Sequence, residues 1–265
     1  MARGLGFTLL IAGVLLGGFV GYELWVTSLF ARHAQGGLQA ELEERAAASA
    51  PALVPYAADP SLGAAPLTVP AGLSEPGEID LAAALEAAGL PPVSAPPEGG
   101  MGAALLTELP PPDGDAVGRI RIPSAGVDWT VVEGVTPGDL RRGAGHLPNT
   151  ALPGQPGNAV ISGHRTTHGA PFYDLDLLAA GDRILVETLI GTHTYEVQEV
   201  IAVAPGDVWV TNQVDGAWLT LTTCNPKGSS RERLIVFARL VSGPNAGAVN
   251  AALTGDPSPP RPPEG

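Results

Sequence analysis

Residues 217–241 read AWLTLTTCNPKGSSRERLIVFARLV, and this stretch decides the fold. An alternating run ends at Cys224, the residues NPKG at 225–228 predict a turn, and a second apolar run follows Arg231. This pattern indicates two adjacent strands joined by a loop. Cys224 is the only cysteine of the chain and ends its strand, where a substrate can reach it. We therefore expect a nucleophile at Cys224, although many cysteines are simply buried and inert.

The region before this strand pair also has the composition of an all-β unit. Apolar and β-branched residues recur in short runs between glycine and proline turns, and few helical segments are apparent. Several short strands with few helices indicate an all-β barrel or sandwich, which we place at Val117–Val241. The other predicted strands are 118–122, 127–133, 158–164, 183–189, 192–203 and 208–210.

A thiol nucleophile needs a partner that can move its proton. His164 ends the apolar strand 158–164, in the same way that Cys224 ends its own strand. None of the other histidines, at positions 33, 146, 168 and 193, has this placement. Arg231 and Arg233 open the last strand on one face, and an arginine there could hydrogen-bond the oxyanion of a tetrahedral intermediate. Spacing alone leaves both arginines open for this role.

Composition and charge restrict the function further. The formal net charge is −13, from 14 basic and 27 acidic residues, which argues against a nucleic-acid partner. The single cysteine excludes an intramolecular disulfide and any metal site built from several cysteines. The 35 glycines and 27 prolines cannot all lie within regular elements, so the folded unit is shorter than the chain.

The N-terminal segment is predicted to be a membrane anchor. Gly4–Tyr22 carries no charge, and a bilayer requires a span of roughly 20 apolar residues. We expect a transmembrane helix at 5–30, preceded by a cytoplasmic segment at 1–4. The alternative is a cleaved signal peptide, whose apolar region would be shorter, at about 7–15 residues.

Two regions are predicted to lie outside the folded unit. Residues 31–116 are rich in alanine and proline and indicate an extended linker with short helices, one of them charged and exposed at 38–48. Residues 242–265 are again rich in proline and glycine and indicate a disordered tail.

Three motifs in this order resemble the sortase family. They are SGH at Ser162–His164, TLTTC at Thr220–Cys224 and RLIV at Arg233–Val236. The surrounding residues are most similar to class E sortases of high-GC Gram-positive bacteria. The resemblance covers about Val117–Val241 and implies an eight-stranded β-barrel with short helices.

The resemblance also implies roles for particular residues. Cys224 would be the nucleophile, His164 the acid and base, and Arg233 the oxyanion-stabilising arginine, with Arg231 as its competitor. Residues expected to bind substrate are Thr222, Thr223 and His146. No metal or cofactor is implied.

The implied activity is transpeptidation at the outer face of the cell membrane by a single-pass protein. The enzyme would cleave an LPxTG- or LAxTG-like sorting signal of a secreted protein between threonine and glycine, through a thioester. The acceptor would be a peptidoglycan-precursor amine, or a pilin lysine in a pilin-polymerising enzyme. Alternatives are a wall enzyme resembling L,D-transpeptidases, whose His-Gly-Cys turn is replaced here by Thr222 and Thr223 before the cysteine, and a non-catalytic tethered barrel that binds wall components.

Overall fold

The chain forms a closed β-barrel that carries short helices at its rims. The structure is a computed structural model, and it describes residues 2–22, 26–48, 51–55, 104–253 and 257–263. The strands are β1 Ala52–Pro55, β2 Ala104–Thr107, β3 Ala116–Ile122, β4 Val127–Glu133, β5 Ala144–His146, β6 Gly157–Ser162, β7 Arg183–Thr188, β8 Gly191–Val203, β9 Ala217–Asn225 and β10 Glu232–Ser242. The helices are α1 Ala2–Gly21, α2 Thr27–Ala48, α3 Pro137–Leu140 and α4 Ala246–Ala252.

Eight of these strands close the barrel in the order β10-β8-β7-β3-β4-β5-β6-β9, and β1 pairs with β2 separately. The predicted eight-stranded barrel is therefore confirmed. Most neighbours are antiparallel, but β6 runs parallel to β9, with Ser162 opposite Thr222 at the end of the ladder. The parallel pairing places the chain that leaves β6 and the chain that leaves β9 at one rim of the barrel.

Burial is continuous along most of β6 and the first half of β9. Residues 157–161 of β6 and 217–221 of β9 are all buried, as expected for strands covered on both faces. The inner face of β9 packs Leu219 and Leu221 into the main core cluster. Its outer face packs Trp218 against Phe237 and Val210 in a second cluster.

The strand predicted at 208–210 is a 3-10 turn, Val208–Thr211. The carbonyls of Val210 and Asn212 accept hydrogen bonds from Nδ2 of Asn158, at 3.1 and 3.2 Å, so this segment bonds to a side chain of β6. The eighth barrel strand is instead β5, which has only three residues and was not apparent in the sequence.

Helix α2 packs against the barrel. Leu38 is fully buried beside Ala116 and Val132. The side chain of Gln35 bonds to both main-chain groups of Thr130, at 2.7 and 3.0 Å. The segment 38–48, predicted to be exposed, is therefore the second half of a docked helix. Charged residues cover its outer face, and the apolar stripe that docks is too narrow to stand out in the sequence.

The predicted membrane anchor is not found in the part of the chain that the structure describes. Helix α2 is long enough, with 22 residues, but it carries charges such as Arg32, Glu41 and Arg45. No described helix is thus both long and apolar enough to cross a membrane. The prediction of a single-pass membrane protein anchored at 5–30 is wrong on this finding.

The flanking regions differ from the predictions in detail. Residues 56–103, the greater part of the predicted linker, lie outside the described residues. Within the predicted tail, Ala246–Ala252 forms α4, and its Val249 is fully buried in the main core. Asn245, next to α4, donates from Nδ2 to the carbonyls of Leu106 and Gly154, at 2.8 and 3.0 Å. These contacts join α4 and β2 to the barrel.

Candidate active site

Cys224 and His164 line one pocket at the rim where β6 and β9 end. The ladder continues beyond β6, because the N–H of Gly163 donates to the carbonyl of Thr222 at 3.1 Å. This bond brings the residue after Gly163 alongside the end of β9. The pocket has a volume of about 220 Å³ and is open to solvent. It is lined by His164, Arg165, Thr166, Thr167, Cys224, Gly228, Ser229 and Ser230.

Close packing fixes the backbone just before His164. A Cβ atom added at Gly163 would lie 2.6 Å from the ring of Phe172, so no larger residue fits there. Phe172 is fully buried, and its N–H donates to the carbonyl of His164 at 3.2 Å. The backbone at His164, where the following loop begins, is therefore held rigidly.

The strand register brings the main chain of Arg233 next to that of Cys224. Arg233 is directly opposite Cys224 in the antiparallel β9–β10 ladder, and opposite residues share one face. Its Nη1 donates to the carbonyls of Ser230 and Glu232, at 3.1 and 3.0 Å. Arg231 precedes β10, and its N–H donates to Oγ of Ser229 at 3.3 Å. The register favours Arg233 over Arg231, although the guanidinium of Arg233 is not among the groups that line the pocket.

His164 lies in surroundings that disfavour its charged form. Burial lowers the pKa of His164, and the nearby His168 and Arg141 lower it further. The imidazole of His164 is therefore neutral at pH 7 and able to accept a proton. Its ring stacks on that of His168, with centroids 4.6 Å apart and planes inclined by 27°.

The three residues predicted to bind substrate have different surroundings. Thr222 is half-buried and lies two residues before Cys224, on the same face of β9. Thr223 points to the opposite face, and its buried hydroxyl donates to the carbonyl of Gly163 at 2.8 Å. This bond joins the two strands that carry the histidine and the cysteine.

His146 lies away from the pocket, inside the barrel wall. It is 1% exposed, its Nδ1 is 2.7 Å from Oε2 of Glu133, and its Nε2 is 2.9 Å from the carbonyl of Ala151. Both ring nitrogens face oxygen acceptors, so the histidine and Glu133 form a buried pair. The structure brings Cys224, His164 and Arg233 to one rim but does not bring His146 there.

Arg165 is a residue of the site that the sequence did not reveal. It is 2% exposed although it is charged. Its Nε donates to the carbonyl of Tyr173 at 2.7 Å, and its Nη1 donates to the carbonyl of Cys224 at 3.2 Å. Its Nη2 lies 2.8 Å from Oδ1 of Asp176. The guanidinium thus ties the main chain at the cysteine to the loop that follows the histidine. Its position directly after His164 was the only signal in the sequence.

Lys227, in the loop between β9 and β10, contacts the same segment as Arg165. Its Nζ lies 2.7 Å from Oδ1 of Asp174 and 3.3 Å from Oδ1 of Asp176. It also lies 4.3 Å from the ring centroid of Tyr173. These carboxylates raise the pKa of Lys227, so the ammonium group is charged at pH 7. The loop after Cys224 is therefore fixed on the loop after His164.

The arrangement is suited to acyl transfer through a covalent intermediate. A thiol, a neutral imidazole and an arginine supply a nucleophile, a proton carrier and a hydrogen-bond donor for an oxyanion. No group of three histidine, cysteine, aspartate or glutamate side chains suited to a metal ion occurs in the described ranges.

Comparison with known proteins identifies the family. The sortase domain model matches residues 120–241. Sortase D of Bacillus subtilis is 32% identical over 136 residues, which cover 50% of this chain and 67% of that protein. The chain belongs to the sortase family. Sortases are cysteine transpeptidases, so the predicted enzyme class is confirmed at the level of the family.

Class E sortases are among the relatives, which confirms the predicted resemblance. Sortase SrtE1 of Streptomyces coelicolor is 34% identical over 144 residues, covering 48% of this chain but only 41% of that protein. The solved structure described as sortase E1 from Streptomyces coelicolor with a tripeptide in the active site is 31% identical. That match covers 51% of this chain and 93% of that one, with a TM-score of 0.47.

Proposed function

We propose that this sortase is a transpeptidase that cleaves an LPxTG- or LAxTG-like sorting signal between threonine and glycine and joins the threonine to an amine. Residues 117–241 would form its catalytic unit. The observation that carries the proposal is the single pocket lined by Cys224 and His164, with Arg233 opposite the cysteine in the ladder.

The first half-reaction forms a thioester. The thiol of Cys224 gives its proton to the neutral imidazole of His164, and the sulfur attacks the threonine carbonyl carbon. The oxyanion that forms accepts hydrogen bonds from the guanidinium of Arg233. The bond between the threonine carbon and the glycine nitrogen then breaks, and the imidazolium returns its proton to the leaving amine.

The second half-reaction regenerates the enzyme. An incoming amine attacks the thioester carbon and loses a proton to His164, which passes it to the departing sulfur of Cys224. A new amide bond replaces the thioester bond, so the protonation states return to those at the start. The lowered pKa of His164 suits this cycle, because the free enzyme must present a neutral base.

The experiment that tests the proposal uses the full chain. It is incubated with peptides that contain LPxTG or LAxTG, with an amine from a peptidoglycan stem peptide or with the side chain of a lysine peptide. Products are read by mass spectrometry. We expect a thioester on Cys224 and a product joined at the threonine carbonyl, both of which disappear in Cys224→Ala. If neither species forms with any combination, the proposed function is wrong.

A matched pair of variants tests the choice of arginine. Arg233→Ala removes the guanidinium of the residue opposite Cys224 in the ladder. We expect kcat to fall by about 100-fold, as for the loss of one oxyanion donor. Arg231→Ala removes an equal charge two residues away, outside the ladder, and should leave kcat within a factor of about two. A larger loss in Arg231→Ala than in Arg233→Ala would reverse the assignment.

A further inference from the structure

The imidazole stacked on His164 has no part in the mechanism above. We propose that His168 is a positioning residue: it holds the ring of His164 in place for proton transfer and makes the two imidazoles compete for one proton. The inference rests on the proposed function, in which His164 moves the proton. It arises from the ring stack itself, with centroids 4.6 Å apart.

The loop that carries His168 is held in an uncommon conformation. His168 has φ +52°, in the left-handed region that favours glycine, and the next residue, Gly169, has φ +78°. The Nδ1 of His168 lies 3.1 Å from the hydroxyl oxygen of Thr167. A backbone held in this region costs of order 1 kcal/mol or more and persists only where its surroundings enforce it. We infer that the conformation is kept because it turns the His168 ring onto His164.

Contacts with helix α2 help to hold the loop that carries His168 in this conformation. The N–H of His168 lies 3.4 Å from the hydroxyl oxygen of Thr27, and the N–H of Gly169 lies 3.3 Å from that of Ser28. A Cβ added at Gly169 would lie 2.4 Å from the ring of Trp129, so the loop also packs tightly onto the barrel. The first turn of α2 and strand β4 therefore fix the loop from two sides.

Burial and two neighbouring groups act on the pKa of His164 in one direction. His168 and Arg165 belong to its own loop, Cys224 lies across the pocket at the end of β9, and Arg141 lies after α3. Burial, His168 and Arg141 all lower the pKa of His164. Two rings at this separation cannot both carry a charge at low cost, so their titrations are coupled.

Two substitutions separate the stacking from the charge. His168→Phe keeps an aromatic ring on His164 but removes the second titratable group. His168→Ala removes both. His33→Ala removes an exposed histidine of α2 elsewhere and serves as the control. Each full-length variant is compared with the unsubstituted chain by following the Cε1–H resonance of His164 in NMR spectra across a pH titration, and by measuring kcat and KM for joining a sorting peptide to an amine.

We expect the titration midpoint of His164 to rise in His168→Phe and in His168→Ala. It should remain unchanged in the control, His33→Ala. The kcat of His168→Ala should fall by about two- to tenfold, the range for a lost aromatic contact, with KM nearly constant. His168→Phe should retain most of kcat, with a pH profile displaced upward. A loop that was merely structural would not move the midpoint in His168→Phe.

Two results would overturn the inference. One is a midpoint of His164 that is the same in the unsubstituted chain and in His168→Phe. The other is a His168→Ala enzyme with an unchanged kcat. The titration also separates this inference from the proposed function. If the unsubstituted chain joins no peptide, the proposed function fails, whereas the NMR midpoints still decide whether the two rings are coupled.

Discussion

A buried histidine in β8 should make the stability of this fold depend on pH. His193 is fully buried, and its Nε2 lies 3.1 Å from the hydroxyl oxygen of Thr188. Its Nδ1 has no hydrogen-bond partner among the residues that the structure describes. Burial lowers the pKa of His193 from 6.5 to about 4, so the ring is neutral in the folded protein at pH 7.

The direction of the effect follows from proton linkage. In the unfolded chain the imidazole of His193 titrates near its ordinary pKa of 6.5, whereas the folded chain resists protonation until about pH 4. Between these values the unfolded state binds more protons, so the free energy of unfolding falls as the pH falls. Above about pH 7.5 both states are neutral at this group, and its contribution no longer changes with pH.

The magnitude follows from the difference between the two pKa values. Each pKa unit corresponds to about 1.36 kcal/mol, so lowering the pH from 7.5 to 4 should cost about 3 kcal/mol at this group. Since a domain of this size is stabilised by only about 5–15 kcal/mol, the loss is easily measured. The assay is guanidinium unfolding at both pH values, with the unsubstituted chain compared with His193→Gln.

The glutamine variant is the control because its amide can face Thr188 but does not titrate. Protonation of other groups, including His164, also lowers the free energy of unfolding as the pH falls. These contributions are equal in the two proteins and cancel in the comparison. We expect the unsubstituted chain to lose about 3 kcal/mol more than the variant between pH 7.5 and 4. Equal losses in the two proteins would refute the argument from burial.

Three further substitutions test the supports of the site and the barrel. Arg165→Met should abolish most joining activity and lower the free energy of unfolding by about 2–5 kcal/mol, because the carbonyls of Tyr173 and Cys224 lose their donor and Asp176 loses this partner. An active variant in a peptide-joining assay would contradict this. Thr223→Val should cost about 1–2 kcal/mol in chemical denaturation and lower kcat, whereas unchanged stability would mean that its hydroxyl bond contributes nothing. His146→Ala should lower the free energy of unfolding by about 3–5 kcal/mol, because Glu133 is left buried without this partner. Adding Glu133→Gln to it should recover part of that loss, and strictly additive losses in the double variant would argue against a coupled pair.

The sequence was sufficient to predict the strands whose ends carry the chemistry. Alternation with β-branched residues is a local property, so β6, β9 and β10 could be placed to within a few residues. The turn at 225–228 makes β9 and β10 antiparallel neighbours, and their register then places Arg233 opposite Cys224. This register favours Arg233 over Arg231 for the role that we propose, a choice that spacing alone left open.

The features that the sequence did not reveal depend on contacts between distant segments. Arg165 resembles any loop arginine until its partners at Tyr173 and Cys224 are known. Helix α2 buries few residues, so its amphipathic pattern is weak. His146 lies in β5, which has only three residues, too few for an alternating pattern to show in the sequence. In each case the decisive interactions lie many residues apart.

The parallel pairing of β6 with β9 has a consequence for how such a protein can change. Two strands that run in one direction bring the residues at their ends to the same rim, so the chain that leaves β6 must cross the barrel and return before β9 begins. Lengthening only the turn between β7 and β8 would leave the β6–β9 ladder intact, and His164 and Cys224 would remain at the ends of these two paired strands.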